Sequence, residues 1–83
     1  MKYVKPINEG HAPEKRDRVR IFVDPFTQQN QEGVAIVLKI WRNEVVDKHT
    51  RCAHINCRFE HPENPGKPNP EEPIVERMYV WAE

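Results

Sequence analysis

Three segments of this chain alternate apolar and polar residues with a period of two, and none carries an apolar stripe at helical spacing over a useful length. Successive side chains on a strand point to opposite faces, so this pattern directs the chain into a sheet with one face on a core. Val19, Ile21 and Val23 alternate with Arg18, Arg20 and Phe22. Ala53, Ile55, Cys57 and Phe59 alternate with Cys52, His54, Asn56 and Arg58. Near the end, Met78 and Val80 alternate with Tyr79 and Trp81.

A fourth segment, residues 34–41, is apolar on both faces and rich in β-branched residues, which predicts a central strand. Val34, Ile36, Leu38 and Ile40 would share one face, with Ala35, Val37, Lys39 and Trp41 on the other. Residues 1–5 are expected to form a short edge strand stopped at Pro6, followed by an ordered arm through residue 17. Asp24-Pro25 ends the next strand, residues 27–33 form a polar loop closed by Gly33, and residues 42–44 form a bend. Five prolines among residues 60–73 predict a stiff, extended loop before a last strand at 74–83. The whole is one all-β domain over residues 1–83, with core strands at 18–59. Its order of strands and loops resembles a small antiparallel SH3-like barrel or meander of four to five strands.

Formal charge is zero overall but runs from +3 over residues 1–23, through +1 over 24–59, to −4 over 60–83. Neutrality removes the long-range attraction on which nonspecific nucleic-acid binding depends. No apolar run is long enough to span a bilayer as a helix. Two cysteines make no disulfide framework and the N-terminus lacks a signal-peptide pattern, so a reduced, cytoplasmic setting is expected. The chain has no serine, only two threonines and no phosphate-cradling glycine pattern, so a non-enzymatic protein is expected.

Basic residues beside aromatics mark the candidate binding face. Arg18, Arg20, Phe22, Lys39, Trp41, Tyr79 and Trp81 would stand outward on it. Trp, Tyr and Arg are the usual anchors of protein interfaces, so a protein partner is expected, with single-stranded nucleic acid second. The alternative use of these aromatics is to close one end of a small barrel. The Pro-rich loop would add contacts, and the chain would act as an adaptor or inhibitor of the phage or plasmid accessory type.

His49, Cys52, His54, Cys57 and His61 place five potential metal ligands within 13 residues. Residues 57–61, Cys-x-x-x-His after an earlier cysteine, resemble the last part of a CCCH zinc finger. That resemblance implies zinc on Cys52, Cys57 and His61, with His49 in place of an upstream cysteine, and Phe59 stacked on an RNA base. The alternation argues otherwise: Cys52 and Cys57 are five apart, on opposite faces of a regular strand, and Cys57 reads as a small core residue. The same alternation puts Cys52 and His54 on one face.

Overall fold

The structure, a computed structural model, describes residues 4–83. It is all-β, a single sheet curled into a half-barrel. The strands are β1 (Ile7–Asn8), β2 (Arg18–Asp24), β3 (Gln29–Val45), β4 (Thr50–His61), β5 (Asn64–Pro68) and β6 (Val75–Ala82). β1 lies parallel to β2, and every other pairing is antiparallel. β4 is central: residues 51–57 pair with β3 on one edge and with β6 on the other.

The inward face of β4 matches its sequence pattern. Ala53, Ile55 and Cys57 are fully buried, and Phe59 packs against them. Val19 and Ile21 of β2, Ala35 and Val37 of β3 and Tyr79 of β6 complete the core. Burying each Val, Ile or Phe side chain stabilises the fold by about 1.5–3 kcal/mol, which is how so short a chain offsets its chain entropy.

β3 departs from the expected alternation because it carries extra residues. Val37 pairs with Cys57 but Lys39 with Asn56, and Ile40 pairs with Ile55 but Arg42 with His54. Leu38 and Trp41 are therefore bulged, and each bulge reverses the faces beyond it. Ala35, Val37 and then Ile40 face the core, while Trp41 is left 45% exposed. A third bulge lies at Glu32 of β3, opposite Ile21 and Phe22, and β2 beyond it leaves Val23 67% exposed. Gly33 beside it has φ +143, and the Phe59 ring lies 3.4 Å from where a Cβ would stand. Bulges raise local twist, and three in one long strand supply the curl of the sheet.

Several expected boundaries move. Of the N-terminal strand, residues 1–3 lie outside those described, and Val4 and Lys5 are not in a strand. Among the described residues the first strand is Ile7–Asn8, within the expected arm. The polar loop at 27–33 shortens to a turn, because the Asp24 carboxylate accepts from the Phe26 and Thr27 amides and β3 starts at Gln29. The bend at 42–44 is strand; the turn comes later, where Asp47 accepts from the His49 and Thr50 amides. The Pro-rich stretch is not one loop: its first residues extend β4, and Asn64–Pro68 folds back as β5. An edge strand tolerates proline because it needs ladder donors on one side only.

One ion pair ties the two halves together. Arg18 of β2 donates through Nε and Nη2 to the Glu60 carboxylate of β4 at 2.9 and 3.0 Å, with side chains only 12% and 16% exposed. Arg18 also donates to the Lys5 carbonyl, and the Gly66 amide of β5 donates to Glu60. Burial alone would raise the Glu60 pKa, but Arg18 and the Gly66 amide outweigh it and hold the carboxyl below its ordinary value. Asp17 behaves alike, burial being outweighed by Lys5, the Glu14 amide and Asn8. A depressed carboxyl contributes stability above its unfolded pKa of about 4, lost as pH falls through the folded value. Arg18→Ala is expected to cost about 3–5 kcal/mol in urea unfolding, since it strands a covered carboxylate. Glu60→Gln is expected to flatten the loss of stability below about pH 4, and an unchanged acid limb would contradict this account of the pair.

Candidate functional site

A half-barrel leaves a seam between its outer strands. Among the described residues β2 and β6 share no ladder, although both contribute to one core. The gap is bridged by a side chain. Tyr79 of β6 donates its hydroxyl to the Asn8 carbonyl at 3.1 Å and accepts from the Gly10 amide at 3.4 Å. Burial pushes the Tyr79 pKa up, against the lowering effect of the Gly10 amide, so the phenol stays protonated and able to donate.

Beside this bridge lies a notch of about 410 Å³, lined by the arm at Asn8–Gly10, by Arg20 and Phe22, by Gln28, and by residues 79–82. Trp81 stacks on Tyr79 with ring centroids 6.0 Å apart and planes 23° off parallel. Arg20 pairs with Glu9 of the arm at 2.6 Å, so its charge is balanced while its side chain remains about one-third exposed. Among the described residues β6 pairs only with β4, so its other edge is free beside the notch, and an unpaired strand edge presents backbone donors and acceptors to any extended chain.

Four of the seven candidate binding residues therefore meet: Arg20, Phe22, Tyr79 and Trp81 all line this notch. They do so from a different arrangement than the alternation implied. On β6 it is Tyr79 and Trp81 that face the core, Tyr79 being 7% exposed, while Met78 and Val80 take the other face with Cys52 and His54. Large rings fill the open interior that a small barrel of Val, Ala and Cys leaves. Arg18 is held by Glu60, and Lys39 and Trp41 are exposed on β3 away from the notch. The prolines of 60–73 do not line it either. Asn8, Glu9 and Gly10 were not legible as site residues, because only the fold brings the arm to β6.

The four zinc ligands implied by the zinc-finger resemblance, His49, Cys52, Cys57 and His61, do not converge. Cys52 and Cys57 lie on opposite faces of β4, and burial pushes the Cys57 thiol, inside the core, up to about 11. On the outer face a different trio meets. Glu44 of β3 sits directly across from Cys52, and His54 is the next residue along that face. Glu44 Oε2 lies 3.8 Å from Cys52 Sγ and 3.3 Å from His54 Nε2. The His54 hydrogen bond keeps the Glu44 pKa low against the raising effect of burial, with the Arg42 charge adding to it, while burial and then Glu44 raise the Cys52 thiol. The carboxylate stands between thiol and imidazole, so the trio lacks the cysteine–histidine–acid order that activates a nucleophile.

Comparison with known protein families, with curated protein sequences and with solved structures finds no match. Among the described residues no helix is long and apolar enough to cross a membrane.

Tyr79→Phe removes the hydroxyl bridge while keeping the ring. It is expected to cost about 1–2 kcal/mol in unfolding and to release the Gly10 amide to faster hydrogen exchange. Unchanged exchange at Gly10 would show that the seam is held by something else.

Proposed function

We propose that this protein is a small non-enzymatic binding module, an adaptor or inhibitor, that captures an extended segment of a protein partner at the seam between β2 and β6. The observation that carries the reading is the convergence of Arg20, Phe22, Tyr79 and Trp81 on one notch beside the free edge of β6. The backbone of an added strand would pair with β6, and a bulky apolar side chain would enter the notch over Phe22 and Trp81. Strand addition of this kind takes affinity from main-chain hydrogen bonds and selectivity from pockets for alternate side chains. Arg20, already paired with Glu9, would orient the segment by hydrogen bonding rather than by net charge.

Selection from a displayed random-peptide library tests this without knowledge of the natural partner. Enriched peptides should be poor in proline and share a bulky apolar residue. Trp81→Ala is expected to weaken them about 30-fold, corresponding to the ~2 kcal/mol of an anchor residue. Arg20→Ala, at a partly exposed position, should weaken them by a smaller factor, and Trp41→Ala should leave them unchanged. Peptides indifferent to Trp81 and Arg20, or no enrichment, would overturn the proposal.

A further inference from the structure

The trio on the outer face of β4 is a separate site. We infer that Glu44, Cys52 and His54 bind one zinc-type divalent transition-metal ion, through Oε2, Sγ and Nε2, with a fourth position open to solvent.

The geometry already approaches coordination. Zinc bonds to nitrogen and oxygen at about 2.0–2.1 Å and to sulfur at about 2.3 Å, so tetrahedral ligands stand about 3.3 Å (O to N) and about 3.6 Å (O to S) apart. The corresponding separations here are 3.3 Å and 3.8 Å. All three ligand atoms lie within 4.8 Å of one another, and His54, partly exposed, has room to adjust its ring towards the ion.

Donor type and charge select the ion. One sulfur, one imidazole nitrogen and one carboxylate oxygen suit zinc and its borderline neighbours, whereas magnesium and calcium want oxygen alone. On binding, the Cys52 S–H bond breaks, its proton goes to water, and the sulfur lone pair forms the metal bond. Thiolate and carboxylate then balance the two positive charges of the ion, with neutral imidazole as third ligand.

The surroundings hold the ligands in place. Arg42 Nη2 binds the other Glu44 oxygen, Oε1, at 2.7 Å and so fixes the carboxylate plane. The bulge at Trp41 sets both Trp41 and Arg42 opposite His54, and the Trp41 ring packs against the imidazole with centroids 5.3 Å apart. Groups that orient metal ligands in this way typically contribute 10–100-fold in affinity. Cys52 is 1% exposed, but Glu44 and His54 reach solvent, which gives the ion a path in.

Cobalt(II) alone is the probe, added to the full chain under reducing conditions. One equivalent is expected to give a near-ultraviolet thiolate-to-cobalt charge-transfer band with tetrahedral visible bands, all abolished by one equivalent of zinc. Cys52→Ser should abolish the charge-transfer band. His54→Gln and Glu44→Gln, at partly exposed positions that leave the core untouched, should weaken cobalt binding by at least about tenfold. No thiolate band in the parent protein at saturating cobalt would overturn the inference. So would a band kept in Cys52→Ser, or affinity unchanged in the His54 and Glu44 variants.

Discussion

β4 is the strand on which everything else in this protein depends, because both of its faces and both of its edges are used. Its ladders with β3 and β6 hold the sheet together, and its far end pairs with β5. Ala53, Ile55 and Cys57 build the core on one face, and Cys52 and His54 meet Glu44 on the other. Because the side-chain period is two, a slip of one residue would exchange these sets, moving His54 into the core and Ile55 into water. The core therefore fixes the register, and the register fixes which polar groups can meet.

The bulges of β3 convert this sheet into a half-barrel with two distinct surfaces. They let one strand of 17 residues curl around the core, and they point Trp41 at His54 rather than along the regular alternation. The same curl brings β2 towards β6 without a ladder, so the seam must be closed by side chains. Tyr79 does this with its hydroxyl, and the notch beside it is what remains open. A fully paired barrel would have no free edge there, and no place for an extended segment to add.

The sequence made the sheet, the inward face of β4 and the buried role of Cys57 legible, because strict alternation over a regular strand leaves little choice. Val19 and Ile21 were legible for the same reason, whereas Val23 was not, since it shares their face by alternation but lies outside the core, 67% exposed. On β3 the bulge at Leu38 reverses the faces of Lys39 and Ile40, and the one at Trp41 restores them from Arg42 onward. The aromatic pair Tyr79 and Trp81 could be read as an outer face or as a barrel plug, and alternation alone does not decide between them. The trio was half visible: Cys52 and His54 plainly share a face, but Glu44 stood in an expected bend, and only the register across β3 and β4 supplies it. Proline count misled at residues 64–68, where an edge strand needs fewer amide donors than a central one.

The register of β4 against its neighbours is the claim from which both sites follow, and it can be measured directly. Nuclear Overhauser contacts across the β3–β4 ladder are expected to join Val37 to Cys57, Ile40 to Ile55 and Glu44 to Cys52. Those across the β4–β6 ladder should join Cys52 to Val80 and Cys57 to Val75. Between these contacts β3 advances three residues against two on β4, then four against three, one extra residue per bulge. Contacts in equal steps along β3 and β4, or Cys52 and Cys57 meeting the same side chains, would contradict the account.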